Sequence, residues 1–391
     1  MPEGHSVHRI ARQFARNFVG RPVRASSPQG RFAEGAAVLD GREMIAARAV
    51  GKQMFLEFDG GVWLRVHLGI YGAWDFAGEI TTDATIRSAG GRMGQTNQRG
   101  TTDDVETDAL GAQSEGTLDE IALGSGRADA SVAAAAPASG SSGAPRNASG
   151  ATEFADLADL ADPADPAAID DADGEDSVRS IGAPRRARLR MAEQEKAGDE
   201  EGDFPPEPVG AVRVRLLTDT AVADLRGPTA CEVLHEAQVD AVIAKLGPDP
   251  LLDNSAEAEQ RFVDTVRKKQ TPIALLLMDQ SVVSGIGNVY RAEMLFRARL
   301  NPHTPGKQVT EYTARALWRD WAYLLDLGVR TGQMMTMDDL SDADRAKAMA
   351  NRADRHWVYK REGLPCRICG THIVLEELGG RKLYWCPKDQ A

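Results

Sequence analysis

The chain begins MPEGHSVHRI, and its second and third residues are the first that could do chemistry. Proline behind the initiator methionine permits removal of that methionine, leaving Pro2 as an N-terminal secondary amine. With an unperturbed pKa near ~8, such an amine is partly unprotonated and nucleophilic at neutral pH. Glu3 would sit beside it. The same pair also suits a plain helix start, because proline fits a first turn and an acid fits the positive end of the helix dipole. A second group lies in CRICGTHIVLEELGGRKLYWCPKD. Cys366 and Cys369 are spaced CxxC, Cys386 follows a hairpin later, and Asp389 stands where a second CxxC would carry its last thiolate. Zinc suits this spacing, since so small a hairpin has too little core to hold itself together. The fourth ligand is Asp389, His372 or water, all of which zinc accepts.

Two further stretches carry candidates. In LLMDQSVVSGIGNVYRAEMLF (276–296) an apolar helix meets a tight turn with Gly285 and Gly287, and Asn288 opens another helix. Asn288 is expected to cap that helix while free backbone N–H groups of the turn point outward, a geometry suited to a phosphate oxygen. An ordinary helical hairpin with a glycine turn fits the same residues. In GKQMFLEF and HLGIYGAW, Lys52 opens a strand and His67 closes another. Singly, Lys52 reads as a solvated surface residue and His67 as a hydrogen-bonded core histidine.

The elements that must position these groups follow from hydrophobic spacing. Val7, Ile10, Ala11, Phe14, Ala15 and Phe18 recur with helical period, and Gly20 is a plausible stop. KQMFLEF and VWLRVHLG alternate around Asp59-Gly60-Gly61, which is hairpin chemistry, and AVRVRLL (211–217) resumes the alternation. From about Leu246 the pattern turns helical, through AEAEQRFVDTVRKK, PIALLLMDQ, NVYRAEMLFRAR and TEYTARALWRDWAYLLDLGVR. Between the two regions, residues 79–205 are rich in Gly, Ser, Ala and Asp and poor in core formers, as in VAAAAPASGSSGAP and FADLADLADPADPA. This composition predicts a disordered insertion, which costs its host only a logarithmic entropy penalty. Arg185, Arg186, Arg188 and Arg190 form a basic cluster just before the fold resumes, in a stretch expected to be partly ordered.

The net charge of −12 over 391 residues argues at first against a nucleic-acid partner, whose phosphates are bound by Lys and Arg. The average misleads. Residues 79–205 hold 26 acidic and 11 basic side chains, a net of −15, so the other 264 residues carry +3. No charged start with a long apolar run follows the N-terminus, and no stretch approaches the ~18 apolar residues of a membrane span, so a soluble, cytoplasmic protein is expected. Three of the four cysteines crowd into the last 26 residues, which suits a metal site in a reducing compartment. Cys231, in TACEVL, reads as a plain buried thiol.

An N-terminal PEG, a lysine opening a strand, HLGIYG, a GIGN turn between helices and a C-terminal cysteine hairpin occur in one order. Their joint order resembles the formamidopyrimidine-DNA glycosylase and endonuclease VIII family of base-excision repair enzymes, over residues 1–78 and 206–391. Gly4 after Pro-Glu and the IYGAW stretch look more like the endonuclease VIII branch, of an actinobacterial kind. The resemblance implies an α+β multidomain fold. An N-terminal catalytic β-sandwich with flanking helices would occupy 1–78 and 206–240, a helix-two-turn-helix DNA-binding domain 241–350, and a zinc-finger β-hairpin 351–391.

It further implies a bifunctional DNA glycosylase and AP lyase, acting as a monomer on double-stranded DNA with damaged bases or abasic sites. The Pro2 nitrogen would attack the anomeric carbon and form an iminium with the deoxyribose as the base departs, with Glu3 giving acid–base help. Lys52 would contact the backbone and assist β-elimination, and Arg381 would hold phosphate and help δ-elimination with its permanently charged fork. Asn288 would clamp phosphate. Ile70 and Tyr71 would fill the gap left by a flipped nucleotide, with Gly69 in the same loop and Arg226 of DLRGP contributing from a second one. Gly69 replaces a larger polar residue of some relatives, and the aromatic often found near Arg226 in the oxidised-purine branch is absent. Oxidised pyrimidines are the substrate this suggests. Structural zinc would be held by Cys366, Cys369, Cys386 and Asp389, with no redox or nucleotide cofactor. The rivals are a damaged-DNA-binding module without chemistry, an AP lyase with little base removal, and an interaction hub built on the acidic insertion.

Overall fold

In the computed structural model of the chain, residues 2–81, 180–182, 204–337, 340–350 and 354–391 are described. Most of the insertion, with its basic cluster, lies outside them. Ser180–Gly182 does not behave as inserted spacer: it forms a strand, and Ile181 is buried in the main core.

The chain opens with α1 (Gly4–Asn17), whose Val7, Ile10 and Phe14 are buried as their spacing predicts. Ala15 is exposed, one position off the buried stripe. Phe18 closes the helix, and Gly20 turns the chain at φ +78°, a conformation glycine adopts without strain. Strands β1 (Pro22–Ser26), β2 (Arg42–Val50), β3 (Gln53–Phe58), β4 (Val62–His67), β5 (Ala73–Gly78), β6 (Ser180–Gly182), β7 (Val212–Leu217), β8 (Ala221–Arg226) and β9 (Ala230–His235) follow, with α2 (Ala33–Leu39) after β1. Their hydrogen-bonded order is β6-β5-β8-β7-β1-β2-β3-β4-β9. β1 is the corner: Pro22 and Val23 pair with β2, whereas Arg24 to Ser26 pair with β7. Folding about it creates a sandwich. Met54, Leu56, Leu64 and Val66 of one layer share a core with Trp74, Phe76, Val214 and Leu225 of the other and with Phe14 and Phe18.

Strict alternation fails in β3 because both faces are covered. Phe55, Val50 and Trp63 on the outer face pack against Val239 of α3 (Glu236–Ile243), with Val242, Ile243 and Leu246 around them. Since α3 belongs to the sandwich, the helical region begins after it and not at 241. That region holds α4 (Ala256–Arg267), the single turn α5 (Ile273–Leu276), α6 (Asn288–Arg297), α7 (Glu311–Thr331) and α8 (Asp342–Ala350). Ser255 and Thr310 accept hydrogen bonds from Ala258 N–H and Thr313 N–H at the starts of α4 and α7. Phe262, Tyr290, Trp318, Trp321 and Leu324 form the helical core. The chain ends in the hairpin β10 (Val374–Glu377) and β11 (Lys382–Trp385). Among the described residues no helix is long and apolar enough to cross a membrane.

Candidate active site

Three distant segments meet backbone to backbone. Gly4 N–H at the head of α1 donates to Gly285 O (2.9 Å), and a Cβ on Gly4 would stand 2.9 Å from Gly285 Cα. In the β2–β3 turn Gly51 has φ +57°, and a Cβ there would come within 2.7 Å of Ser284 Cβ. Gly285 itself has φ +94°. Only glycine permits this approach without displacing a neighbour. Consequently Pro2 and Glu3, Lys52 and Asn288, remote in sequence, flank one joint.

Glu3 is fully buried, and its carboxylate accepts Gly287 N–H (2.8 Å, Oε2) and Val289 N–H (2.9 Å, Oε1). These are the amides at the positive end of α6, so a carboxylate from the chain start closes a helix 284 residues away. The expectation for Asn288 is corrected here. Gly287 is the cap residue and Asn288 the first residue of the helix, and the N–H groups of the two turn glycines are already taken: Gly285 N–H donates to Gln280 Oε1 (2.9 Å), and Glu3 accepts those of Gly287 and Val289. Asn288 instead faces the C-terminal hairpin. Its Nδ2 donates to Lys382 O (2.9 Å), and its Oδ1 accepts from the buried Arg291 guanidinium, which also reaches Lys382 O (2.9 Å).

Burial, with Arg381 nearby, brings Arg291 down to about 10. Arg381 lies in the turn between β10 and β11, so its hairpin is fastened to α6 next to Glu3. Lys52 is half-buried at the same joint. Burial lowers its ammonium to about 8, the Glu3 carboxylate acts against that shift and Arg381 adds to it. A lysine so placed has a substantial neutral fraction slightly above neutral pH. His67, at the end of β4, is brought down to about 4 by burial and by the charges of Lys52 and Arg65, so its ring is neutral at pH 7.

Beyond His67 the loop turns outward. Gly69 has φ +65°, Ile70 is 39% exposed and Tyr71 62%, an apolar pair offered to solvent beside the joint. Arg226 is committed elsewhere: its guanidinium pairs with Asp75 and donates to Val209 O (2.8 Å), and burial lowers it to about 10. Cys231 on β9 is half-buried, its thiol pushed up to about 12 by burial, as an inert thiol should be.

The cysteine cluster is assembled. One ligand atom each from Cys366, Cys369, Cys386 and Asp389 lies within 4.8 Å of the others, Asp389 Oδ2 being 3.0 Å from Cys366 Sγ and Cys369 Sγ 3.5 Å from Cys386 Sγ. Three thiols and a carboxylate converging with no other function fit a tetrahedral zinc ion. Exposed His372 stands outside the cluster, and the fourth side-chain donor gathered with the three thiols is Asp389.

Two residues of α6 escaped the sequence reading. Arg291 joins Asn288 to the hairpin, and Glu293, fully buried, accepts Trp357, Val358 and Tyr359 N–H at 2.7 to 2.9 Å in the segment leading to the cysteines. Burial raises its pKa against the pull of these bonds. A signal existed: two opposite charges inside NVYRAEMLF, a segment mostly apolar after Asn288, demand buried partners.

Comparison with known proteins agrees with this architecture. The formamidopyrimidine-DNA glycosylase N-terminal domain matches residues 1–105, the H2TH domain of that glycosylase 246–339, and a zinc finger found in FPG and IleRS 363–391. "Endonuclease 8 1" of Mycobacterium tuberculosis (H37Rv) is 31% identical over 389 residues, covering 99% of this chain and 98% of its own. Formamidopyrimidine-DNA glycosylase of Thermus thermophilus is 37% identical over 149 residues, 38% of this chain and 55% of its own. The crystal structure of MutM (Fpg) from Thermus thermophilus superposes with TM-score 0.54 at 19% identity, covering 100% of this chain and 98% of its own. Lactococcus lactis Fpg bound non-covalently to DNA containing an AP site gives 0.57 at 15%, covering 99% of each chain. With near end-to-end likeness to an endonuclease 8 and three domain matches in the order of the fold, the chain belongs to the formamidopyrimidine-DNA glycosylase and endonuclease VIII family.

Proposed function

We propose that the protein removes oxidised bases, pyrimidines first, from double-stranded DNA and then cuts the strand, with the Pro2 amine as nucleophile. Bifunctional glycosylase and AP-lyase chemistry is the activity of its family. The Pro2 nitrogen forms a bond to C1′ of the damaged nucleotide as the C1′–base bond breaks, and transfer of the amine proton to O4′ with breaking of the C1′–O4′ bond then gives the ring-opened iminium. That cation acidifies the adjacent C2′ proton, whose loss expels the 3′ phosphate; a second elimination expels the 5′ phosphate. Lys52 is assigned to the first elimination and Arg381 to phosphate at the second. Asn288, already bonded to the Arg381 hairpin, completes the backbone grip, and Ile70 with Tyr71 fills the space of the flipped nucleotide. Gly69 gives their loop its left-handed turn, and Arg226 shapes the neighbouring strand end through Asp75. Zinc bound by the three cysteines and Asp389 supplies the rigidity of the hairpin that carries Arg381. With chromosomal DNA as substrate, the protein works in the cytoplasm at the nucleoid.

The observation that carries this reading is the anchoring of Glu3. By taking the two amides at the head of α6, it ties the segment beginning at Pro2 beside Lys52 and the hairpin of Arg381. Borohydride trapping on a duplex with an abasic site tests it. Wild type should yield a covalent adduct, Pro2→Gly, whose terminal amine is primary and no longer held by the pyrrolidine ring, should yield far less, and oxidised pyrimidines should be released faster than oxidised purines from a lesion panel. Wild-type trapping and cutting by Pro2→Gly would overturn the assignment of the nucleophile.

A further inference from the structure

Behind Lys52 stands a buried pair that the reaction as described does not use. His8, one turn into the chain's first helix, lies with Nε2 2.8 Å from Asp249 Oδ2, and the two residues are 7% and 3% exposed. The same Oδ2 accepts Gly51 N–H at 2.7 Å, while Oδ1 accepts Leu251 N–H at 3.0 Å. Gly51 and Lys52 are the whole loop between β2 and β3, since Val50 pairs with Gln53 on either side. In a two-residue loop, the orientation of the first peptide sets the direction of the second side chain. Nothing within the hairpin itself is shown to hold the Gly51 N–H; the carboxylate that does so comes from the segment leading into the helical region. Removing it would leave a buried amide and a buried imidazole nitrogen without their acceptor.

We infer that Asp249, oriented by His8, is a positioning residue for Lys52: it fixes the Gly51 peptide and thereby aims the Lys52 amine at the site shared with Glu3. This rests on the assignment of Lys52 to the elimination step. The pair touches neither substrate nor the reacting atoms, so its effect passes entirely through the lysine.

The test is single-turnover cutting of an abasic-site duplex by the full chain. A small misplacement of a reacting group is enough to slow chemistry by one or two orders of magnitude, so D249N should slow cutting at saturating DNA roughly tenfold, with the half-saturating DNA concentration changed less than about twofold. H8L should slow cutting less, and H8Q should restore it, because the glutamine amide N–H can donate where the imidazole N–H did. In the K52Q background, D249N should add less than about a twofold further loss, the signature of two residues acting as one unit. If D249N slows K52Q by its full single-mutant factor, Asp249 does not act through Lys52 and the inference falls while the lyase assignment stands. If K52Q alone cuts at the wild-type rate, the lyase assignment falls and the inference with it. Should D249N fail to fold, H8Q as slow as H8L overturns the positioning role.

Discussion

Lys52 and Arg381 reach the same joint from the tips of two β-hairpins that are stiffened in opposite ways. The β2–β3 hairpin is backed on both faces: Met54, Leu56 and Phe58 enter the sandwich core, while Phe55 is covered by α3. Its tip is held by glycine contacts and by Asp249. The β10–β11 hairpin has strands of four residues, and Val374 and Leu375 remain 36% and 38% exposed. It shares a cluster of seven buried residues with α6, two of them cysteines of the ligand set, and reaches the helical core only through Leu383, with Leu378 and Trp385 beside it. Apolar burial therefore fixes one tip, and ligand donors together with Asn288 and Arg291 fix the other. The difference matches the gathering of metal-ligand donors at one end only: where buried area is small against chain entropy, coordination can supply the rigidity.

The largest effect should come from breaking the weaker hairpin. Cys386→Ser, or chelation of zinc, is expected to lower strand cutting at least ~100-fold while the cooperative unfolding of the sandwich stays in place, read by metal content, cutting rate and circular dichroism. Loss of sandwich unfolding along with the metal would show that the two hairpins are not independently held. The complementary change, Leu56→Ala, should cost about 2–5 kcal/mol in denaturant unfolding and leave the bound zinc at one per chain.

A finer probe is Asn288→Ala, which frees one of the two donors on Lys382 O. Expected is a fall of roughly tenfold in the second elimination with the first little changed, seen on a gel as products with sugar fragments in place of clean phosphate ends; equal loss in both steps would break the link to Arg381. The smallest effect concerns Lys52 and stability. Its pKa falls from 10.5 to about 8 on folding, so between about pH 8 and 10.5 the unfolded chain binds more protons than the folded one. Stability from this group should accordingly rise with pH across that window and level off above it. Lys52→Met should flatten the rise and raise the melting temperature at pH 7, where wild type must desolvate a cation; an unchanged pH slope would count against the lowered value.

Much of the site's chemistry is legible in short windows. The CxxC spacing with Cys386 names three ligands and leaves the fourth open among Asp389, His372 and water, and the structure gathers Asp389 with the three cysteines. Helical and strand periods place α1, β3, β4 and β7 near where they are found, because burial of one face is a local pattern. Errors arise where a partner lies far away. β3 departs from alternation because α3, nearly two hundred residues on, covers its outer face. Local propensity makes Asn288 a cap for its own helix, yet Glu3 occupies those amides and turns Asn288 toward the hairpin. Ser180–Gly182 looks like spacer and becomes an edge strand, since three residues are too few to show a period.

By itself the amino-acid order determined which groups could react, which could hold a metal, and where helices and strands begin, all of them properties of residue type and spacing over a few turns. The meeting of Gly4, Gly51 and Gly285, the burial of Glu3 against α6, and the grip of Asp249 on the loop of Lys52 were decided only when the chain closed. A hydrogen-bond donor within a short window looks the same whether water or a distant carboxylate will satisfy it, and packing alone makes that choice.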